Sequence, residues 1–161
     1  MKINTTAKIT PFLWFDTQAE EAAQFYTSVF EGGEILHVTR YTEVGPGPEG
    51  SAMTVVFEIG GVEFTALNGG PLFTFNESVS FVIHCDGQDE IDHFWNALSE
   101  NGEVQQCGWL KDRFGLSWQV VPSNLGDFFD PNQPEKSAKV INALRGMVKL
   151  DLAALEAAAD N

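Results

Sequence analysis

His84 and Gln119 are the side chains best suited to polarising a substrate group, and each lies in a stretch with strand-like alternation. An imidazole changes charge near neutral pH, and a carboxamide both donates and accepts hydrogen bonds. Together they could activate a carbonyl group without a metal, which makes them the candidate catalytic residues. A histidine on a mixed strand face is also commonly a hydrogen-bonded structural residue, so both interpretations stay open.

The cysteines offer a weaker basis for chemistry. Cys107 lies near Trp109 and Lys111 and could be a nucleophile, although a small apolar filler is the favoured interpretation. Its spacing from Cys85 matches no zinc pattern, and without a secretory context both are expected to be reduced thiols. The sequence has no P-loop, GxSxG or HExxH motif.

Strand alternation predicts which side chains share a face with His84 and Gln119. In the strand at 79–85, Phe81, Ile83 and Cys85 form an apolar face that we expect to lie under a helix. The other face should border a cavity between two modules, which suits a small, partly apolar ligand. An interior filled by side chains is the alternative. The predicted cavity residues are Leu13, Phe15, Glu63, Thr65, Leu67, Ser80, Val82, His84, Ser117 and Gln119, with Phe12 and Trp14 assigned to the helix side.

These positions recur because the sequence contains an internal repeat. A shift of 69 residues places PFLWF on SFVIH and FYTSVFEGGEI on FWNALSENGEV. A shift of 54 places GVEFTAL on GLSWQVV. Ordered matches at both ends of a unit favour an internal repeat over chance. The copies are expected to be related by a pseudo-two-fold axis.

Each copy reads as a strand, a helix and further strands, a βαβββ module in an α+β protein. The first helix should begin near Asp16 or Thr17, because Thr17 and Glu20 have capping-box spacing. The second should begin near Asp86 or Gly87. The predicted strands are residues 9–15, 35–41, 53–59 and 62–67 in the first copy, and 79–85, 104–110 and 116–121 in the second.

The organisation predicted from these elements is a single domain. Module 1 covers about 8–75, module 2 about 76–125, and a helical tail about 134–160. The tail should pack on the modules or on a second subunit. The loop 43–51, rich in glycine and proline, is predicted to be mobile and to lie at the cavity mouth.

Composition restricts the partners. The 161 residues are 43% hydrophobic, enough for a core, and carry a formal net charge of −14. Such a surface repels nucleic acid and anionic membranes, so neither is an expected partner. No apolar run approaches the roughly 20 residues of a membrane-spanning helix. The N-terminal residues lack a signal-peptide core, so the expected location is the cytoplasm.

Several segments resemble a known family. FLWFDTQAEEAAQFYTSVF resembles the start of vicinal-oxygen-chelate (glyoxalase-like) proteins, and QQCGWLKDRFGLSWQVVP is similar to their PhnB-like branch. That branch is commonly labelled a "3-demethylubiquinone-9 3-methyltransferase" domain, and KVINALRGMVKLDLAALEAA is also similar to it. The resemblance implies a glyoxalase/bleomycin-resistance/dihydroxybiphenyl-dioxygenase-like fold, with two modules in a curved, partly closed mixed sheet. It also implies a homodimer.

The resemblance also allows the metal to be considered residue by residue. Metal-dependent members carry His or Glu at four strand positions, which map here to Pro11, Thr65, Ser80 and Gln119. These side chains supply at most one usable oxygen, so we expect no catalytic metal and no cofactor. Lyase, isomerase and dioxygenase activities are therefore in doubt.

Two function classes follow. The first is a protein that binds a small, partly apolar ligand in the inter-module cavity. The alternative is a metal-independent enzyme, isomerase- or lyase-like or a methyltransferase as labelled, that uses His84 and Gln119 at a carbonyl substrate. The Gly69-Gly70 pair follows a strand but leads into LFTFN, not an amphipathic helix, so no usual S-adenosylmethionine site is visible.

Overall fold

The computed structural model of the chain describes residues 8–160 and divides it into two compact units, Met1–Phe75 and Asn76–Asn161. Residues 1–7, part of the segment from which a cytoplasmic location was predicted, lie outside the described residues. Each unit contains one βαβββ module with its own four-stranded sheet. The hydrogen bonding gives one mixed four-stranded sheet in each module, which agrees with the predicted α+β fold of two βαβββ modules. No helix of residues 8–160 is long and apolar enough to span a bilayer.

In the first unit, the sheet order is β1-β4-β3-β2, with β1 parallel to β4 and the other neighbours antiparallel. Because β1 and β4 are parallel, the chain between them must cross over, and the helix makes part of that crossover. The elements are β1 (Phe12–Phe15), α1 (Ala19–Val29), β2 (Glu34–Arg40), β3 (Ala52–Ile59) and β4 (Val62–Asn68).

Helix α1 forms because small and aromatic residues recur at helical spacing on the side that meets the sheet. Its buried side chains are Ala19, Ala22, Ala23, Tyr26 and Val29. The Tyr26 ring stacks on Phe57 with centroids 6.0 Å apart, and Phe57 stacks on Phe64 at 5.4 Å. These rings place α1 against the face of β3 and β4 that carries Phe57 and Phe64.

The start of α1 differs from the prediction. The helix begins at Ala19, and neither Asp16 nor Thr17 caps it. The amide of Ala19 donates instead to the Asn68 side-chain oxygen at 2.7 Å, while the Asn68 amide group donates to the carbonyl of Ala52. A residue at the end of β4 therefore satisfies the helix terminus, which no local pattern could indicate.

In the second unit, the order β5-β8-β7-β6 repeats that of the first. The strand predicted at 104–110 is interrupted by a turn, where Cys107 and Gly108 have φ values of 61° and 80°. A side chain at Gly108 would lie 2.7 Å from the Val120 carbonyl oxygen, so this position requires glycine. The elements are β5 (Phe81–Cys85), α2 (Gln88–Ser99), β6 (Glu103–Val104), β7 (Trp109–Lys111) and β8 (Ser117–Pro122).

A buried carboxylate organises the hairpin between β7 and β8. Asp112 is only 3% exposed. One oxygen accepts the amides of Phe114 at 2.8 Å and Leu116 at 3.1 Å, and the other accepts the indole N–H of Trp118 at 2.8 Å. Asp112 thus ties the turn to the largest side chain of the second core.

The C-terminal tail packs on its own chain. A short 3₁₀ turn (Leu125–Phe128) leads to α3 (Pro134–Arg145) and α4 (Leu152–Asp160), whose apolar side chains meet around Phe128, Val140 and Leu155. The segment between these helices returns to the turn before β7, where the Met147 and Val148 carbonyls accept the amides of Cys107 and Gly108. Since much of the tail's apolar surface is covered in this way, it no longer argues for a dimer, which remains a prediction from the resemblance.

Candidate functional site

The predicted faces of β1 are reversed in the structure. Register places Leu13 opposite Ala66 and Phe12 opposite Thr65. Leu13 and Phe15 therefore lie on the helix-covered face, with 5% and 3% of their surface exposed, whereas Phe12 is 61% exposed. The predictions that Leu13 and Phe15 face a cavity, and that Phe12 and Trp14 face the helix, were wrong.

The reason is a difference of one residue between the copies. Residues 16–18 join β1 to α1, whereas only 86 and 87 join β5 to α2. The helices correspond at a shift of 69, but the first strands correspond at 70, so Leu13 matches Ile83 and Phe15 matches Cys85. Side chains alternate along a strand, so an error of one position exchanges the two faces.

The outer face of the first sheet, opposite α1, is partly aromatic. It carries three of the predicted residues, Glu63, Thr65 and Leu67, beside Phe12 and Trp14. The Trp14 ring meets Phe73 edge-on at 5.0 Å, and its indole N–H donates to the Gly70 carbonyl at 2.8 Å. The correct register would have revealed Phe12 and Trp14, which the sequence reasoning placed under the helix.

The outer face of the second sheet carries the other predicted residues. Register places Val82 opposite Gln119 and His84 opposite Val121, while Ile83 and Cys85 lie on the helix-covered face. Val82 and His84 are exposed, and Gln119 is partly buried. Ser117 shares this face, two residues before Gln119, but is fully buried.

A hydrogen bond joins two of these candidates. The Gln119 amide nitrogen donates to the Ser80 hydroxyl oxygen at 2.9 Å. His84 lies two residues further along β5 than Val82, about 6.6 Å along the strand. Ser80, Val82 and Gln119 thus form one local group, with His84 at its edge.

The sequence reasoning missed two residues of this face. Trp109 pairs in register with Gln119, and Lys111 with Ser117, so both side chains share the outer face. The Lys111 ammonium forms an ion pair with Glu77, and its hydrogen bond holds the pKa of the Glu77 carboxyl below its usual range. Applying strand alternation to Trp109–Lys111 would have found both.

The buried cysteine is not suited to nucleophilic chemistry. Burial, reinforced by the nearby carboxylates of Glu90 and Asp86, raises the pKa of the Cys85 thiol to about 12. The thiolate is the nucleophilic form, and at neutral pH it is negligible here. Cys107 lies in the turn before β7, where its amide donates to the Met147 carbonyl at 2.9 Å.

The residues at the mapped metal positions do not fit a catalytic metal. Thr65 and Ser80 offer neutral hydroxyls, and the Ser80 oxygen already accepts the Gln119 amide. The one-residue correction pairs Ser80 with Thr10, another weak hydroxyl ligand. Across the described chain, no three His, Cys, Asp or Glu side chains gather closely enough to hold a metal. The absence of a metal from the protein itself remains a prediction.

Comparison with known proteins gives the family. A model described as 3-demethylubiquinone-9 3-methyltransferase matches residues 7–121 and leaves the C-terminal tail outside. A PhnB protein from Bacillus cereus is 37% identical with a TM-score of 0.68, over 72% of this chain and 99% of that one. Protein PA1353 from Pseudomonas aeruginosa is 24% identical, with a TM-score of 0.61 over 73% and 98%.

A more distant structure shows the fold alone. The fosfomycin resistance protein FosX from Mesorhizobium loti is 11% identical, with a TM-score of 0.54 over 76% of this chain and 96% of that one. No curated protein matches the chain. The family match covers both βαβββ modules, and the Bacillus cereus protein shares their fold at substantial identity. This chain is a PhnB-like member of the 3-demethylubiquinone-9 3-methyltransferase family, with a glyoxalase-type α+β fold.

Proposed function

We propose that the protein binds a small, partly apolar ligand at the outer face of the second sheet, without a catalytic metal. The observation that carries this proposal is the 2.9 Å hydrogen bond from Gln119 to Ser80. It orients two polar groups on a face that also presents Val82 and Trp109. A few convergent polar groups among apolar side chains are typical of small-molecule sites.

The hydrogen bonds that Ser80 and Gln119 can still form determine which ligand groups could bind here. Because the Gln119 amide donates to the Ser80 oxygen, the Ser80 hydroxyl hydrogen remains able to donate to a ligand carbonyl. The Gln119 carbonyl oxygen remains able to accept from a ligand hydroxyl or amide. A ligand hydroxyl could use both groups, whereas a ligand carbonyl would accept from Ser80 alone. In either case the ligand has an apolar body, and His84 could contact its exposed end.

A buried hydroxyl on the same face supports a polar ligand group. Within residues 8–160, the Ser117 hydroxyl oxygen is the buried side-chain polar atom that lacks a hydrogen-bond partner. An unsatisfied buried group costs about 1–3 kcal/mol. A ligand group or a water bound beside Ser117 would remove that cost.

Methyl transfer is not part of the proposal, because the chain does not fit the usual methyl donor. The Gly69-Gly70 pair follows β4, but no helix follows it before β5. A side chain at Gly69 would lie 2.3 Å from the Trp14 ring, so close packing on that ring explains this glycine. Gly69 therefore allows close packing on Trp14 at the outer face of the first sheet, and the pair does not form a nucleotide-binding turn.

The test uses two probes that differ in one carbonyl group. Acetophenone and ethylbenzene are titrated into 15N-labelled protein, and the amide shifts of Ser80, Val82 and Gln119 are followed. We expect saturable shifts with acetophenone and at most weak ones with ethylbenzene. Gln119→Ala removes the hydrogen bond that orients the Ser80 hydroxyl and should weaken acetophenone binding about five-fold, the effect of about 1 kcal/mol. His84→Ala should weaken it less.

The matched control is Gln24→Ala, the same substitution at an exposed position of α1. It should leave the affinity for acetophenone unchanged. Equal affinities in wild type, Gln119→Ala and His84→Ala would mean that this face is not the binding site.

A further inference from the structure

The first unit contains a cavity unrelated to the face proposed above. Its volume is about 280 Å³. Tyr41, Pro46 and Pro48 supply apolar walls, and Asp16 and Thr17 lie at one side. Small-molecule pockets usually measure about 300–1,000 Å³, so this cavity suits a ligand smaller than most drugs. None of its residues belongs to the second unit.

The loop 43–51, which forms one wall of this cavity, contacts Tyr41 through hydrogen bonds and close packing. Residues 43–51 belong to no strand, but the Tyr41 main chain accepts the Gly50 amide and donates to the Ser51 carbonyl, both at 2.9 Å. Gly45 and Gly47 pack on the Tyr41 ring so closely that a side chain at either would collide with it. Loop mobility remains a prediction.

An ion pair secures the same loop to the helix. The Arg40 guanidinium binds both carboxylate oxygens of Glu20, at 3.0 and 3.2 Å, and also donates to the Gly50 carbonyl at 3.3 Å. Glu20 lies in the first turn of α1, next to the cavity's Asp16–Thr17 side. Arg40 is thus engaged by Glu20 and does not line the cavity. Among the residues that line it, the exposed Asp16 is the charged one.

The corresponding corner of the second unit has a different arrangement of side chains. Asp16 follows Phe15, and its counterpart Asp86 follows Cys85 at the same point of the repeat. There, the Ser123 hydroxyl donates to the Asp86 carboxylate at 2.7 Å. In the first unit, Gly69 takes the place of Ser123, since their amides donate to Phe15 and Cys85 in the same way. Among the described residues, no side chain satisfies the Asp16 carboxylate.

We propose that this cavity binds a small organic cation, a primary ammonium group on a hydrocarbon body. The Asp16 carboxylate accepts hydrogen bonds from the ammonium group, and Tyr41, Pro46 and Pro48 contact the hydrocarbon. The formal net charge of −14 disfavours an anionic ligand here. The loop and the glycine that distinguish this corner from its counterpart are the features that create the site.

The experiment compares benzylamine, a cation at neutral pH, with benzyl alcohol, which has a similar shape without the charge. Both are titrated into 15N-labelled protein. We expect benzylamine to shift the amides of Gly47, Ser51, Gly69 and Gly70 saturably, and benzyl alcohol to bind at least five-fold more weakly. Benzylamine affinity should also fall as salt is raised.

Two matched variants decide the role of the carboxylate. Asp16→Asn should weaken benzylamine binding about five-fold, whereas Asp86→Asn, the same change at the repeat-related position, should leave it unchanged. The absence of shifts at the cavity amides would overturn the proposal, and so would equal affinity in wild type and Asp16→Asn. The acetophenone experiment reports on amides of the second unit, so the two proposals fail independently.

Discussion

Replacing Asp112 with alanine removes the acceptor of three hydrogen bonds in the second core. The donors are the amides of Phe114 and Leu116 and the indole of Trp118. A hydrogen bond to a charged group contributes about 1.5–3 kcal/mol, and a buried donor left without a partner adds to the loss. Because the three bonds share one carboxylate, their contributions are not fully additive. We expect the free energy of unfolding to fall by about 3–5 kcal/mol.

Urea unfolding followed by circular dichroism measures this change. With a urea m-value of about 2 kcal/mol/M, the midpoint should fall by about 1.5–2.5 M. Asp127→Ala, at an exposed aspartate of the 3₁₀ turn, is the control and should change stability by no more than about 0.5 kcal/mol.

A double-mutant cycle with Trp118→Phe isolates the indole bond. Phenylalanine lacks the indole N–H. Asp112→Asn should therefore lower the free energy of unfolding by about 1 kcal/mol less in the Trp118→Phe protein than in the wild type. If Asp112→Ala changed the midpoint as little as Asp127→Ala does, the carboxylate would not support the hairpin. The reasoning from buried hydrogen bonds would then be refuted for this turn.

Three further predictions follow from the contacts described. The Gln88 side chain of α2 donates to the Leu150 carbonyl at 3.1 Å and accepts the Leu152 amide at 2.9 Å. Gln88→Ala removes both bonds and should speed amide exchange in residues 147–152 without changing the first unit. With Asn68→Ala, α1 loses its cap, and urea unfolding should show a loss of about 1–2 kcal/mol. At pH 8, a thiol reagent should modify Cys85 in the folded protein far more slowly than in urea. Because folding raises its pKa from 9.0 to about 12, its contribution to stability is complete below pH 9 and is lost as the pH rises to about 12, which urea midpoints across that range would show.

The periodicity of the sequence was sufficient to predict most of the elements. Apolar spacing indicated α1 and α2, and alternation separated the two faces of β5 correctly, with Val82 and His84 opposite Ile83. These signals are local, since each depends on side chains a few residues apart on one element. The faces of β8 could be predicted for the same reason.

The errors occurred where structure depends on distant residues or on one inserted residue. The cap of α1 comes from Asn68, 49 positions from Ala19, and no motif links the two. The strand predicted at 104–110 breaks at Cys107, a non-glycine residue with positive φ, which sequence rarely reveals. The site residues Leu13 and Phe15 were misplaced because the repeat was aligned on its helices, and the additional loop residue shifted β1.

Asp112 and Trp118 belong to the segment that most clearly resembles the family, yet both are buried and bonded to each other. This buried pair is therefore a structural part of the segment, since it stabilises the hairpin. Proteins that share this buried pair share an architecture, whereas the pair itself makes no contact that would select a ligand. A classification by chemistry would have to compare the proposed binding residues, such as Ser80 and Gln119, or Asp16 and Gly69.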